Sequence, residues 1–502
     1  MATAAPSAVF QIAIVALYVL CLGALFLYGT NCYVLLFLFR RNRSKGREEY
    51  QNLLKKFDAS RWRADLPTVT VQLPVYNERH VIRRLLQAAC ALDYPRDRLE
   101  IQLLDDSTDD TVEIARRLVA AYRQQGIAIE HVRRTSREGF KAGALKAGME
   151  NARGDFLAVF DADFVPPPDF LHKTLPYFLD PAVGMVQVRW SHLNADSSLL
   201  TYAQSVGIDS HFSIEQGARA WSGLFLNFNG TAGIWRRQAI VDAGGWQADT
   251  LTEDMDLSYR AQLAGWRLKY LLEVSCPAEL PDQVSAFKSQ QFRWAKGSIQ
   301  TARKIIPELL KVRCPWFAKY QAILHMTHYV VHPLMLATLL LSYPAILLEN
   351  RELNTQTLVC VFLLFLLSTL GPSALYVAAQ KALYPNWRAR LRRIPLMTLI
   401  GTGIALSNSR AVLEGLLVSG GKFIRTPKFG ILSRINSGPR KKDDYRIKKD
   451  NLPYLELAIG LYALLTLAKA ITSLGIVISP FLFMYTCGFF YISIKGISES
   501  RK

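Results

Sequence analysis

The chain has no CxxC pair and no even set of cysteines. Its seven, Cys21, Cys32, Cys90, Cys276, Cys314, Cys360 and Cys487, are scattered, which excludes a cysteine-built zinc site and a disulfide framework. Four lie in or beside apolar runs, where cysteine behaves as a small hydrophobe, and a reducing cytosolic setting is expected for the middle of the chain. There is no P-loop, no internal repeat and no low-complexity segment. The start lacks the basic n-region of a secretory signal, and its apolar run continues from Ala8 to Phe39. No nucleic-acid motif accompanies the formal net charge of +19. That charge therefore points to a membrane surface rather than to nucleic acid, because most of the excess sits beside apolar spans.

Long apolar runs are abundant. Half of the 502 residues are hydrophobic, and they concentrate at both ends. Runs of bilayer length, about 20 residues, occupy 9–39, 320–348 and 356–380 (the last two within 320–380), and 453–471 and 474–495 (within 453–495). Arg40, Arg41 and Arg43 follow the first, the pattern of an anchor with its N-terminus outside. A sixth run, 394–418, contains Asn408, Arg410 and Glu414, which are costly at a bilayer centre. The stretch Gly420–Asp450 carries ten Lys or Arg against three Asp. If 394–418 crossed the membrane, this stretch would face away from the basic stretch 388–393. An interfacial helix keeps both on one side, so five crossings satisfy the charge distribution better than six. The loop 419–451 is then cytosolic. The basic segment 287–319 suits a helix on the membrane surface.

Between the first two spans, residues 64–286 read as a globular domain. Strand-like runs at Thr68–Leu73, Leu99–Leu104, Ile127–Val132 and Phe156–Phe160 alternate with helical patterns at Val81–Leu92, Asp110–Gln124 and Phe140–Ala152. That alternation predicts an α/β domain with a parallel sheet covered on both faces. Ligands in such sheets bind beyond the carboxyl ends of the strands, where Asn77, Asp105, Asp106, Asp161 and Asp163 fall.

Four local signals carry chemistry. Asp161 and Asp163 end an apolar strand one residue apart; Mg²⁺ is commonly held by one or two carboxylates plus substrate phosphates, although a solvated strand end is the plainer explanation of an isolated pair. Asp105 and Asp106 end another strand, where a sugar or base hydroxyl could be bound; Asp109 and Asp110 behind them suit helix capping. Thr252-Glu253-Asp254 offers a general base, or simply a helix N-terminus before Met255–Leu263. In Gln290-Gln291-Phe292-Arg293-Trp294, arginine suits a diphosphate and tryptophan offers a flat face for a sugar ring, unless both merely anchor the interface.

These four motifs, in this order within one α/β domain flanked by membrane spans, resemble family 2 glycosyltransferases of the processive cellulose-synthase-like branch. The likeness runs from about Thr68 to Gly430 and is nearest the plant mannan and xyloglucan-backbone synthases, the cellulose-synthase-like A and C groups. The resemblance implies a GT-A nucleotide-sugar-binding domain with a Rossmann-like mixed sheet between transmembrane helices. It implies that Tyr76, Glu78, Asp105, Asp106, Lys141, Asp161, Gln290 and Arg293 bind the nucleotide sugar. Asp163, with Asp161, is the implied ligand of Mg²⁺ or Mn²⁺. Asp254 is the implied base, supported by Glu253. Trp294, Asn229, Gly230 and Thr231 are implied around the acceptor, and Phe423, Thr426 and Lys428 in a gating loop over the site. The chain departs from parts of the family in lacking a cyclic-dinucleotide-binding domain, a zinc-binding N-terminus and the plant-type insertion, so regulation by those routes is not expected.

The expected activity is processive, inverting polymerisation of a β-linked glycan on the cytosolic face of a plasma, inner or Golgi membrane, with passage of the polymer through the spans. UDP-glucose and GDP-mannose are both open as donors, with a lean towards UDP-glucose because it serves most of the wider family. The growing polysaccharide and the lipid membrane are the other expected partners. A non-processive enzyme making a glycolipid, and a transporter whose soluble domain only binds nucleotide, are the rivals.

Overall fold

The computed structural model describes residues 8–59, 65–348, 355–421, 426, 428, 430 and 451–501. Seven strands form one sheet: β1 (Val69–Val75), β2 (Leu99–Asp105), β3 (Ile129–Val132), β4 (Phe156–Val159), β5 (Val183–His192), β6 (Gly233–Arg236) and β7 (Arg267–Ala278), in the order β3-β2-β1-β4-β6-β5-β7. The first four pair in parallel. β6 runs antiparallel to both β4 and β5, which makes the sheet mixed.

β1 and β2 show why the alternating pattern produces this layer. Every residue of β2 is buried, and so is every residue of β1 except Pro74. Helices cover both faces of such strands, so they need apolar side chains on both. Where polar residues intrude, they bond across the pair: Thr70 Oγ1 donates to Glu100 at 2.6 Å, and Gln72 Nε2 to Gln102 at 3.1 Å. One core lies on one face around Val71, Ile101 and Phe160; the other holds Leu104, Leu157 and Trp235.

Five helices among the described residues are long and apolar enough to cross a membrane: Val9–Asp58, Trp316–Leu347, Phe362–Leu383, Leu452–Ile471 and Ile476–Ser500. The first belongs to a helix of 52 residues, Ala8–Ala59, about 78 Å long at 1.5 Å per residue. It outruns the apolar stretch at Phe39 and lays Tyr50 and Phe57 into the core of the globular domain. The ambiguous stretch near 394–418 is a bent pair, Trp387–Gly403 and Ala405–Leu417, with 48° between its limbs, and would count as a sixth span if taken together. Its polar residues have partners. Asn408 is fully buried against His332 at 2.9 Å, and Glu414 pairs with Lys296 and Arg410.

The helix Val284–Lys311 packs closely against its neighbours. Fourteen of its residues are buried, packed against Ala405–Leu417 and the helix Glu253–Leu263. It joins the globular domain to the membrane helices. Its N-terminus is capped from the far end of the chain, with Glu499 accepting from the backbone of Val284 and Ser285 at 2.8 and 2.9 Å.

Candidate active site

The carboxyl ends of β1, β2 and β4 open into one cleft. Two loops there are stitched by Asn77, whose φ of +56° is one that asparagine tolerates. Its backbone N–H donates to Ser107 Oγ and its side chain accepts from Thr108 N, both at 2.8 Å.

The cleft collects nearly every residue singled out by the motifs: Tyr76, Glu78 and Asp106; Lys141, Asp161 and Asp163; Asn229 and Gly230; Glu253 and Asp254; Gln290, Arg293 and Trp294; Thr426 and Lys428. Two residues are placed differently. Asp105 is 1% exposed and does not line the cleft. One of its oxygens accepts from Ser107 N at 2.9 Å and the other meets His131 Nε2 at 2.8 Å, so it braces the loop. Thr231 is likewise buried behind the wall, its hydroxyl accepting from Asp161 N at 2.8 Å, which holds the Asp161 backbone. Phe423 lies outside the described residues.

At the centre, Lys141 Nζ donates to Asp161 Oδ1 at 2.5 Å and to the Gly230 carbonyl at 2.8 Å. Burial works against the Lys141 charge, but Asp161, Glu253 and Asp254 outweigh it, and its pKa lies above the ordinary lysine value. Arg293 shows the opposite balance: burial lowers its pKa although the same carboxylates and Asp163 oppose the shift. Two partly buried cations therefore face the carboxylates from two separate elements.

Glu253 and Asp254 begin the helix Glu253–Leu263. The Thr252 hydroxyl does not cap that helix; it meets Thr301 at 3.1 Å, which ties the motif to the helix Val284–Lys311. Asp254 Oδ1 accepts from Met255 N at 2.8 Å, and Ser258 Oγ, which accepts from Phe228 N, donates to the Asp254 carbonyl at 2.6 Å. Burial first, and then the charge of Glu253, push the Asp254 carboxyl up to about 7, with Lys141 offsetting part of the rise. Burial also raises Glu253. A carboxylate of that basicity is matched to accepting a proton near neutral pH. Gly230 lets the loop approach it: φ there is +82°, and a Cβ would lie 2.8 Å from Asp254 Oδ2.

Asp161 and Asp163 differ in surroundings. Asp163 is 6% exposed, and its Oδ2 accepts from Lys428 Nζ at 2.7 Å. Among the described residues no group of three or more His, Cys, Asp or Glu could hold a metal alone. Two carboxylates, each already drawing an ammonium, fit a hard cation that completes its shell with phosphate oxygens and water.

Motif reading missed four cleft residues: Arg137, Trp190, His192 and Glu279. His192 ends β5, and its Nε2 lies 3.1 Å from the buried Asp209. Asp209 is held in turn by Gln380 at 3.1 Å and Tyr384 at 2.9 Å, so the end of a membrane helix braces the cleft wall. Glu279 bonds Arg84 and the backbone N–H of Gly430. Only spatial neighbours distant in sequence reveal these roles, and no local pattern marks them.

Residues 67–297 match the family model described as "Glycosyltransferase like family 2". The chain is 36% identical over 407 residues to "Probable glucomannan 4-beta-mannosyltransferase 6" of Oryza sativa subsp. japonica, spanning 79% of this chain and 69% of that one. It is 34% identical to "Glucomannan 4-beta-mannosyltransferase 9" of Arabidopsis thaliana, over 79% of this chain and 74% of the relative. Among solved structures, a mannosyltransferase from Pyrobaculum calidifontis in complex with GDP-Man and Mn²⁺ is similar with a TM-score of 0.47 at 22% identity, over 77% of this chain and 99% of that one. A likeness of that size says nothing further about this chain.

Proposed function

Since the chain belongs to glycosyltransferase family 2, in its cellulose-synthase-like A/C type, and is a hexosyltransferase with a GT-A domain, we propose that it polymerises a β-linked mannan-type glycan from GDP-mannose. The lean towards UDP-glucose finds no support among the relatives, whose names specify mannosyl transfer. The observation that carries the reading is Asp254, a partly buried carboxylate lining the cleft with a pKa of about 7, close against the Gly230 loop.

The reaction is a single in-line displacement. The terminal hydroxyl of the acceptor, its sugar seated on Trp294, gives its proton to an Asp254 oxygen as its own oxygen bonds the anomeric carbon. The bond from that carbon to the diphosphate oxygen breaks, and the nucleoside diphosphate leaves with the electron pair. Lys141 and Arg293, both lining the cleft, hold positive charge where the leaving group gains negative charge. Asp163, with Asp161, would hold Mg²⁺ or Mn²⁺, which when bound supplies further charge for the diphosphate. Lys428, which bonds Asp163 Oδ2 here, would have to release that oxygen for Asp163 to serve as the ligand.

Processive extension is favoured over a single transfer to lipid by the membrane helices set beside the acceptor wall. Asn229 Nδ2 meets His211 Nε2 at 3.0 Å, and Tyr329 meets Gln291. Polar and aromatic groups at these two places suit a sugar chain better than an acyl chain. The test is purified protein in nanodiscs with GDP-mannose or UDP-glucose and Mn²⁺, followed by product sizing and digestion with linkage-specific glycanases. A long β-mannanase-sensitive product is expected. A single-sugar lipid product would refute processivity, and incorporation from UDP-glucose alone would refute the donor. Asp254→Asn is expected to bind GDP normally and form no polymer.

A further inference from the structure

The loop between β3 and the helix Phe140–Asn151 is anchored at one residue and leaves another unused. Arg134 grips both Asp106 oxygens, one of them at 3.0 Å, and donates to the Glu138 and Phe140 carbonyls at 2.8 and 3.0 Å. That fixes the loop against the end of β2. Arg137, three residues on, has no such task. Among the described residues its guanidinium makes no recorded hydrogen bond or ion pair. It lies flat on Tyr76, its Cζ 3.4 Å from the ring centroid, with Phe140 at 5.0 Å. Tyr76, Asp106, Arg137 and Phe140 all line the cleft.

An aromatic face just past β1 is a seat for a flat heterocycle, and a stacked guanidinium holds that seat when no base is present. Arginine brings a fork of donors with no acceptor of its own. On one edge guanine presents two acceptors, O6 and N7, which such a fork meets bidentately; adenine presents a donor beside N7. Uracil has no N7. We propose that Arg137 is the base-reading residue of the donor site. Guanine takes the face of Tyr76, and Arg137 turns its fork from that face onto O6 and N7. This rests on the GDP-sugar reading and names the side chain that enforces it.

The experiment measures binding of GDP, ADP, UDP and inorganic pyrophosphate, each with Mn²⁺, to the full chain in nanodiscs by calorimetry. Wild-type protein is expected to bind GDP at least tenfold more tightly than ADP or UDP. Arg137→Ala is expected to weaken GDP about tenfold to a hundredfold, leaving ADP and pyrophosphate within about twofold. Arg137→Lys is expected to recover part of the GDP preference. An unchanged GDP-to-ADP ratio in Arg137→Ala would overturn the proposal while leaving the donor reading intact. Equal weakening of every nucleotide would make Arg137 a general stacking or structural residue, and lost pyrophosphate binding would make it a phosphate ligand; either result overturns it. Wild-type protein preferring UDP would refute the donor reading and this proposal together.

Discussion

Asp254 carries two consequences with opposite pH signs. As a proton acceptor it must be ionised, so with a pKa of about 7 kcat/KM is expected to rise tenfold per unit below pH 7 and level off above it. A pH–rate profile on GDP-mannose checks this, and a flat profile between pH 5.5 and 7 would remove Asp254 as the base. Stability runs the other way. A carboxyl raised from 3.8 in the folded state binds more protons than the unfolded chain between pH 3.8 and 7. Its favourable contribution is therefore complete at the acid end and lost as pH rises through 7. Asp254→Asn abolishes that cost and is expected to be more stable than wild type at pH 8, by roughly 2–4 kcal/mol, but not at pH 4. Thermal melts at the two pH values distinguish the outcomes. Asp105 teaches a related lesson at this scale. The two adjacent acids look equivalent in a motif, yet alternation along β2 turns Asp105 inward to His131 and Asp106 towards the cleft.

At the scale of elements, close helix crossings decide how the membrane helices meet. A Cβ on Gly371 would sit 2.1 Å from the Gly29 carbonyl oxygen, and one on Gly29 2.5 Å from Ser368 Cα. Small residues permit such approaches in membranes, where packing rather than hydrophobicity drives association. Gly371→Val is expected to force the two helices apart and cost about 1–3 kcal/mol, read as a lower melting temperature in detergent. An unchanged melting temperature would show that the crossing relaxes without cost. The brace behind His192 belongs to the same scale. Asp209→Asn weakens the bond to His192 and keeps the contacts to Gln380 and Tyr384, so its expected effect is a rise in KM for the donor with little change in melting temperature. A fall in stability with unaltered KM would assign Asp209 to folding alone.

For the whole molecule, the link between catalytic domain and membrane helices is polar as well as apolar. Lys288 pairs with the buried Glu456 at 2.6 Å, and Glu499 caps the helix that carries Gln290, Arg293 and Trp294. Removing one partner of a buried pair leaves an uncompensated charge. Glu456→Gln is thus expected to cost several kcal/mol and to lower polymer yield in step with folded protein. Lost activity at full melting temperature would instead mark the pair as part of catalysis. The long N-terminal helix contributes to the same union by carrying Tyr50 and Phe57 into the core beside the sheet.

Local chemistry made much of this legible in the chain itself. Strands buried on both faces must be written as apolar runs, and carboxylates at their ends stand out against them. The membrane runs are set by length and hydropathy, so they too could be read directly. Tertiary structure alone decided which carboxylate faces the cleft, that Thr231 bonds the Asp161 backbone, and which helices pack against Val284–Lys311. It also joined His192 to Asp209 and Tyr384, and set Arg137 against Tyr76. Those pairings join residues separated by tens to hundreds of positions. Their energy comes from desolvation and proximity in three dimensions, which no local spacing encodes.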